Sequence, residues 1–546
     1  MSETLEVPRA RDASAAQGER ASSPGLAPRR GGVSFSRARS LLAVAALVAA
    51  VVAASLAWVA AAPVGSSPDE DFHLGAMWCP PPVDKTGCQI STKDGEKAVM
   101  VPQSLAKDNV TCYAFERNGS AQCSLAASDD LLAPTLRWDD GNYPWGYYQF
   151  AHLFVQHSTN RAVLALRACN TALAIGLLGA IIALADSSLR RAIAVAVTVA
   201  WLPMGFYFVT SMNPSSWAMT GTFAFAAGLL AATRSRGRSR AGLVACALAG
   251  AVLACTSRGD SAFFLFVVTV ALAFAVPLSK RILPEATLAC VASVVGIWVM
   301  SRTNVAASHL GSGNALAGYS RKHVLWLNVE ALPNYLRGFV GHVFGPGWND
   351  VSYQGTVSYG ASVVVVALLC WALRFPSWRK VLSSLVVAGA ITGVPVVIGM
   401  RGHYSNVEVY QPRYMLPLFA VFLLMALAPS PACDKQGRVW GSEPFRVPTS
   451  VVGRSCVALV AAVWAITHAR ALYLVIERYA FGRTAHQMPI DLATRNLSEG
   501  YEWWWPGAAV GPMTVWVIGA LAGLVAIALS ALLWSRPLCA QRREDH

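Results

Sequence analysis

The part of the sequence best equipped for acid–base chemistry is the run 67–73, which reads Ser-Pro-Asp-Glu-Asp-Phe-His. Three carboxylates and an imidazole lie here, just after a long apolar segment. In such a group one carboxylate can take a proton from an attacking hydroxyl while another orients the acceptor or holds a divalent metal, Mg²⁺ or Mn²⁺. A helix N-terminus is the alternative, because proline and acidic residues stabilise a first turn. The candidate catalytic residues are Asp69, Glu70, Asp71 and His73.

A second acidic stretch, 137–145, reads Arg-Trp-Asp-Asp-Gly-Asn-Tyr-Pro-Trp, and its Asp-Gly and Tyr-Pro steps favour turns. Rings beside carboxylates and amides suit a sugar, which packs on a ring and hydrogen-bonds through its hydroxyls. A folded, solvated loop is the alternative. The Asn-Pro step at 213–214 is a further candidate, although proline at a helix start explains much of it. The candidate sugar or acceptor contacts are Asp139, Asp140, Tyr143, Trp145 and Asn213.

Basic residues also occur where the topology below predicts the outer side of a membrane, a location that the positive-inside rule disfavours. Arginine can bind a phosphate through two parallel hydrogen bonds, so such cations suit a lipid phosphate. Lipid head groups or salt bridges are the alternative partners. The candidate in the run 411–417, Gln-Pro-Arg-Tyr-Met-Leu-Pro, lies at the mouth of an apolar helix, where an unpaired charge is costly. The candidate donor-phosphate ligands are Arg413, Arg401, His403 and Arg258, and Arg321, Lys322 and His323 fall on the same side.

The composition is that of a membrane protein. Hydrophobic residues make up 55% and charged residues 14% of the 546 residues, against roughly 25% charged residues in soluble domains. The apolar residues form runs long enough to span a bilayer. The net charge of +14 comes from basic clusters between these runs, a pattern that the positive-inside rule explains better than nucleic-acid binding. The sequence has no Walker A motif and no convincing dinucleotide-binding motif, which argues against an ATPase or a nicotinamide enzyme.

The alternation of apolar runs and basic clusters predicts an all-α polytopic protein of the cell (plasma) membrane, with about twelve transmembrane helices and both termini in the cytoplasm. The spans after the first are predicted near 162–185, 192–210, 217–233, 241–256, 261–279, 285–302, 359–376, 381–400, 413–429, 451–475 and 511–535. The predicted segments are a disordered cytoplasmic tail, 1–40; a first transmembrane helix, 41–62; an extracytoplasmic loop subdomain, 63–158; transmembrane helices 2–7, 159–302; an extracytoplasmic loop with an amphipathic helix, 303–358; transmembrane helices 8–11, 359–475; an aromatic-rich extracytoplasmic loop, 476–510; the last transmembrane helix, 511–535; and a cytoplasmic tail, 536–546.

Four of the twelve cysteines crowd into the first predicted extracytoplasmic loop. Such a loop faces an oxidising space, so the four predict two disulfides, for which three pairings are open. A zinc site is the alternative, but the spacings are not those of a zinc ribbon. The disulfide candidates are Cys79, Cys88, Cys112 and Cys123.

Four elements together resemble the DUF2142 family of predicted bacterial membrane proteins. They are the Pro-Asp-Glu run in 68–73, Tyr-Pro-Trp-Gly-Tyr-Tyr at 143–148, Asn-Pro at 213–214 and Gln-Pro-Arg-Tyr-Met-Leu-Pro at 411–417. Their order and membrane placement extend the resemblance over about residues 45–430. The sequence departs from the family pattern at Asp71, where a small or apolar residue is usual, and in reading Tyr-Pro-Trp rather than Tyr-Pro-Pro. The additional carboxylate leaves open which acidic residue is catalytic.

That family in turn resembles the GT-C superfamily of polytopic glycosyltransferases, which use lipid-phosphate-linked sugars and carry an acidic motif in the first extracytoplasmic loop. The resemblance implies that Asp69 or Glu70 is the base or the acceptor-orienting carboxylate. It also implies that His73 supports the base and that Arg413 faces the donor phosphate.

The resulting hypothesis is an inverting glycosyltransferase on the outer membrane face. Its donor is a polyprenyl-phosphate-linked sugar, and its acceptor is an envelope glycan, lipid or protein. A transporter or flippase for lipid-linked sugars is the alternative and predicts buried charges and broken helices at the midplane. A non-catalytic scaffold of envelope synthesis is a third interpretation. The Ala- and Arg-rich texture is typical of a high-GC bacterium such as an actinomycete.

Overall fold

A computed structural model describes residues 31–535 apart from short gaps. The gaps are 117, 304–315, 317, 343, 354, 375, 405–409, 430, 434–438, 442–449, 483–496 and 498–502. The predicted tail 536–546, most of the tail 1–40 and much of the loops 303–358 and 476–510 therefore lie outside the described residues. Contacts divide the chain into two units, Met1–Ala46 and Leu47–His546, and α2 to α18 belong to the second.

The described part of the chain is mostly helical. The helices are α1 (Gly31–Ala60), α2 (Glu70–Trp78), α3 (Lys107–Val110), α4 (Gly146–His152), α5 (Thr159–Leu184), α6 (Ser187–Trp201), α7 (Met204–Val209), α8 (Ser215–Ala232), α9 (Gly237–Ser257), α10 (Gly259–Ala275), α11 (Leu283–Arg302), α12 (Arg321–Glu330), α13 (Leu332–Arg337), α14 (Thr356–Leu373), α15 (Trp378–Gly402), α16 (Leu416–Leu427), α17 (Val451–Phe481) and α18 (Pro512–Ser535). The strands are β1 (Ile90–Lys93), β2 (Glu96–Pro102), β3 (Leu132–Thr135), β4 (Pro431–Cys433) and β5 (Val439–Gly441).

The prediction of a polytopic α-helical membrane protein is confirmed. Among the described residues, eight helices are long and apolar enough to cross a membrane, namely α1, α5, α9, α11, α14, α15, α17 and α18. The other four predicted spans coincide with helices that are shorter or less apolar. They are α6 with α7, where Leu202 and Pro203 interrupt the helix, and α8, α10 and α16. The count of twelve spans stays a prediction.

Glycines allow two central helices to pack closely. A Cβ atom on Gly221 of α8 would lie 2.6 Å from the carbonyl oxygen of Gly250 on α9. A Cβ atom on Gly250 would lie 2.6 Å from the backbone nitrogen of Phe225. No side chain fits at these two positions, and small residues at such crossings let backbones approach where lipid provides no hydrophobic driving force. The helices at this crossing lie beneath the segments that carry Asn213 and Arg258.

The region between α1 and α5 folds as a small subdomain. Its three strands form an antiparallel sheet in the order β1-β2-β3, in which Ile90 is paired with Val99, and Val99 with Thr135. Of the three disulfide pairings that the sequence leaves open, the structure has Cys79–Cys88 and Cys112–Cys123. Each bond closes a short loop, and Cys79 directly follows α2.

We expect loss of the Cys112–Cys123 disulfide to lower the apparent unfolding temperature of the protein. The bond closes a loop with a sequence separation of 11, and a crosslink of this length stabilises by about 3 kcal/mol through the restricted unfolded chain. The measurement is thermal unfolding of a Cys112→Ser, Cys123→Ser variant in detergent, and peptide mapping without reduction tests the pairing itself. A peptide linking Cys79 to Cys112 would contradict it.

Candidate functional site

The acidic run follows α1 directly and turns sharply before α2. Asp69 occupies the left-handed region with φ 60° and ψ 14°, which is unusual for a residue other than glycine. Its carbonyl oxygen accepts hydrogen bonds from the backbone nitrogens of Phe72 and His73, so the backbone starts the helix. Its side chain makes no capping hydrogen bond. The helix-cap alternative therefore does not account for the Asp69 carboxylate, which faces away from the helix.

The three carboxylates of the run have separate environments. Glu70 is fully buried and accepts a hydrogen bond from Arg167 at 2.8 Å and one from the backbone nitrogen of Ser67 at 2.7 Å. Arg167 also donates to the carbonyl oxygens of Ala62 and Pro63 at the end of α1. Burial raises the pKa of Glu70, and the Arg167 guanidinium opposes that rise. Glu70 and Arg167 therefore link the segment after α1 to α5, and the Glu70 carboxylate is enclosed within the protein.

Asp71 is also enclosed. It accepts hydrogen bonds from Nε of Arg137 at 2.8 Å and from Nη2 at 3.2 Å, and its side chain is 1% exposed. Asp69 instead keeps 41% of its side chain exposed. It is paired with Arg137 at 3.2 Å on one oxygen and with Arg413 at 3.1 Å on the other. Among the three acidic residues, Asp69 is thus the one that a substrate can reach.

A second ion pair lies beside the first. Arg258 binds both oxygens of Asp260, at 2.9 and 2.8 Å, and Tyr410 donates to the same carboxylate at 3.2 Å. The guanidinium of Arg258 lies 4.6 Å from the ring centre of Tyr414, and that of Arg413 lies 4.9 Å from it. A single tyrosine ring therefore brings two predicted phosphate ligands together. We call Asp69, Arg137, Arg258, Asp260 and Arg413 the Asp69 cluster.

His73 lies behind this cluster. Its Nδ1 shares a hydrogen bond of 2.8 Å with the hydroxyl of Tyr148, and its ring meets that of Tyr143 edge-on at 5.5 Å. Burial lowers the pKa of His73 to about 3; the positive charges of the cluster act in the same direction, and Asp69 opposes them. The imidazole is therefore neutral at physiological pH. It contacts the rings of Tyr143 and Tyr148.

The other predicted contacts shape the surroundings of the cluster. Asn213 donates to the carbonyl oxygen of Pro68 at 3.1 Å and so fixes the acidic run. Asp139 is buried, and one of its oxygens accepts from the backbone of Asn142 at 2.8 Å, which shapes the turn before Tyr143. Trp145 is 68% exposed and Asp140 is also exposed, so both are accessible from solvent.

Two predicted phosphate ligands lie at the end of α15. Arg401 is exposed in the last turn of α15, and His403 follows in the left-handed conformation. The contacts found for the Asp69 cluster within the described ranges include neither residue. Sequence reasoning assigned no role to Arg137, Asp260 or Tyr414. Asp260 precedes a predicted span, and a charged residue beside an apolar segment needs a partner, which was the available signal for it.

The donor set does not fit a divalent metal. In the part of the chain that the structure describes, no group of three or more His, Cys, Asp or Glu side chains is arranged to hold a metal ion. Asp69 and Asp71 face guanidinium groups, which already supply positive charge at this position.

We expect part of the pH dependence of stability to come from Asp139. Burial raises its pKa to about 6, against about 3.9 in an unfolded chain. The unfolded chain therefore ionises first, and stability falls as the pH rises between about 4 and 6. The measurement is the apparent unfolding temperature between about pH 4 and pH 8. Asp139→Asn should remove this decline, whereas Asp108→Asn, at an exposed carboxylate, should keep it; equal slopes in all three proteins would contradict the assignment.

Comparison with known proteins identifies one family. The model of DUF2142, described as a predicted membrane protein, matches residues 52–422, which include every member of the Asp69 cluster. No curated protein and no solved structure matches the chain.

Proposed function

The chain belongs to the DUF2142 family of predicted membrane proteins, and from that premise we propose that it is a membrane glycosyltransferase. The sugar comes from a polyprenyl-phosphate donor and goes to an envelope glycan or lipid on the extracytoplasmic face of the plasma membrane. One observation carries the proposal: Asp69 is a partly exposed carboxylate in direct contact with Arg413, beside a second arginine that shares the ring of Tyr414. A base next to cations is what sugar transfer from a phosphate requires.

The reaction follows from these charges. The acceptor hydroxyl gives its proton to Asp69, and its oxygen forms a bond to the anomeric carbon. The bond between that carbon and the phosphate oxygen breaks, and the oxygen keeps the electron pair. Because attack and departure occur on opposite faces of the ring, the anomeric configuration inverts. Arg413 and Arg258 stabilise the phosphate as its negative charge increases.

Arg413 has two roles in this scheme. Its Nη2 contacts Asp69 at 3.1 Å, and a neighbouring guanidinium weakens a carboxylate as a base. A donor phosphate competes with the carboxylate for Arg413, because both are anionic oxygen ligands that arginine binds. Once Arg413 contacts the phosphate, Asp69 loses one neutralising partner and becomes the stronger base. Donor binding thus prepares Asp69 for the acceptor.

We expect Arg413→Gln to lower the rate of sugar transfer by about a hundredfold or more, the usual effect of removing one donor that stabilises developing charge. Arg413→Lys should recover part of this loss, because the charge remains while the planar fork is lost. The assay uses purified protein in nanodiscs with a panel of polyprenyl-phosphate sugars and a membrane extract as acceptor. Arg337→Gln, at an exposed arginine, is the matched control. Transfer unchanged by Arg413→Gln would contradict the proposal.

A transporter or flippase is the second candidate, and one observation favours it. The predicted span 192–210 consists of α6 and α7, interrupted at Leu202 and Pro203, and broken helices are typical of transporters. Arg167, the charge that sequence reasoning weighed for this alternative, is paired with Glu70, the first residue of α2. Movement of a fluorescent lipid-linked sugar across protein-containing liposomes, without sugar transfer, would favour the transporter.

A further inference from the structure

A cavity of about 740 Å³ lies between membrane-spanning helices. It is lined by α1, α6, α14, α17 and α18. Most of its lining is apolar, including Val195, Leu368, Val460 and Ile527. Its volume falls within the range of sites that hold a single medium-sized ligand, roughly 300–1,000 Å³.

The cavity is long and has two different ends. Both Ser450, at the start of α17, and His468 line it, and the 18 residues between them span about 27 Å of helix. The apolar core of a bilayer is about 30 Å thick. At the His468 end, the rings of Trp58 and Phe206 lie 6.0 and 6.3 Å from the ring of His468. We call the opposite end, at Ser450, the entrance.

The entrance carries a positive charge. Arg374, which follows α14, lines the cavity and is exposed. Its guanidinium lies 5.2 Å from the ring centre of Trp371, which also lines the cavity. An aliphatic slot with a cation and an aromatic ring at its mouth matches a lipid chain that carries an anionic head group.

The entrance is remote from the Asp69 cluster. The hydroxyl of Tyr353, just before α14, contacts the carbonyl oxygen of Ala471, and Arg478 near the end of α17 contacts the carbonyl oxygen of Tyr113 in the loop subdomain. The start of α14 and the end of α17 thus lie on the subdomain side. The start of α17, at Ser450, and the end of α14, at Arg374, therefore lie on the opposite side.

Hydrogen-bonded backbone also separates the cavity from the Asp69 cluster. Trp58 lines the cavity, and on the chain between Trp58 and Asp69 the carbonyl oxygen of Ala60 accepts a hydrogen bond from Trp505 and that of Ala62 accepts one from Arg167. A polyprenyl donor with its phosphate at Arg413 cannot also place that phosphate at Arg374. The occupant is therefore not the donor molecule that binds at Arg413.

We propose that this cavity binds one acyl chain of an anionic phospholipid, whose phosphate contacts Arg374. The lipid is a bound component of the protein and is not consumed in the reaction. It fills the space between α1, α14 and α17, so it stabilises the helices that carry the loop subdomain. The site is independent of the proposed sugar transfer.

The test is native mass spectrometry of purified, delipidated protein offered equal amounts of phosphatidylglycerol, phosphatidylcholine and undecaprenyl phosphate. We expect one bound phosphatidylglycerol, favoured about fivefold over phosphatidylcholine, as one basic residue near an anionic lipid provides. Arg374→Gln should abolish that preference. Arg454→Gln, at an exposed arginine that does not line the cavity, should keep it.

Two variants test the location. Ala367→Trp and Ala526→Trp place a large ring in the cavity and should reduce retention of both phospholipids at least tenfold. If either variant fails to give a single peak in size-exclusion chromatography, Ala526→Leu replaces it. This smaller side chain should also reduce the retention of both phospholipids, but by a smaller factor. Retention that is unchanged in the filled variants, preferential binding of undecaprenyl phosphate, or no retained lipid in the unaltered protein would each overturn the proposal.

Discussion

Asp69→Asn should lower the rate of sugar transfer by about 10²–10⁴-fold, the usual contribution of a positioned general base. The amide keeps the shape of the carboxylate but cannot take the proton from the acceptor hydroxyl. Asparagine also tolerates the left-handed backbone that Asp69 adopts at φ 60°. The substitution therefore changes the chemistry of the side chain while the turn before α2 is kept.

The measurement is the transfer rate at saturating donor and acceptor, divided by the amount of protein that elutes as a folded species. Asp108→Asn is the matched control, because Asp108 lies in the same subdomain with 84% of its side chain exposed. We expect the control to transfer sugar at the unaltered rate. Normal transfer by Asp69→Asn would remove Asp69 from the mechanism and leave the glycosyltransferase proposal without a base.

The pH profile gives a second check on the same residue. The profile of kcat/KM reports the free enzyme, in which Arg413 contacts Asp69. Its acidic limb should therefore move to higher pH in the Arg413→Gln variant, because the carboxylate loses a cation. The profile of kcat, measured with donor bound, should have the same acidic limb in both proteins. Identical limbs of kcat/KM in the two proteins would mean that Arg413 does not act on Asp69.

The sequence indicated the general position of the site but not the roles of its members. The acidic run and Arg413 could be predicted because charge beside apolar helices is costly and therefore informative. The partners of these residues are distant along the chain: Arg137 is 66 residues from Asp71, Arg167 is 97 from Glu70 and Arg413 is 344 from Asp69. Such pairings depend on how the helices pack, which a single sequence does not specify.

The choice among the three carboxylates shows the same limit. Successive residues of an α-helix point about 100° apart, so Glu70 and Asp71 at the start of α2 face different neighbours. Glu70 turns toward α5 and is enclosed, whereas Asp69 stays outside the helix in a left-handed turn. The spacing along the chain does not distinguish the three carboxylates, whereas the burial of their side chains does.

Glu70→Gln should destabilise the protein without abolishing the chemistry, in contrast to Asp69→Asn. The substitution leaves the guanidinium of Arg167 buried, with 2% of its side chain exposed and no carboxylate at 2.8 Å. Removing one partner of a buried ion pair costs about 3–5 kcal/mol, because the remaining charge has lost both water and its partner. We therefore expect a lower apparent unfolding temperature and less folded protein.

A double substitution separates charge from packing. Glu70→Gln combined with Arg167→Met removes both charges and should recover part of the lost stability. Recovery is incomplete, because the carbonyl oxygens of Ala62 and Pro63 then lose the donors that Arg167 provides. The exposed pair of Asp84 and Lys97 is the control, with 77% and 51% of these side chains exposed. Asp84→Asn should change stability by no more than about 0.5 kcal/mol.

The sugar-transfer rate of the folded Glu70→Gln protein then decides whether Asp69 or Glu70 is the base. Because Glu70 faces Arg167 inside the protein, the transfer rate per folded molecule of Glu70→Gln should stay within about tenfold of the unaltered rate, below the range expected for a lost base. Asp69→Asn should show the opposite pattern, with full stability and little transfer. A loss of transfer in Glu70→Gln that exceeds its loss of folded protein would instead assign the proton to Glu70.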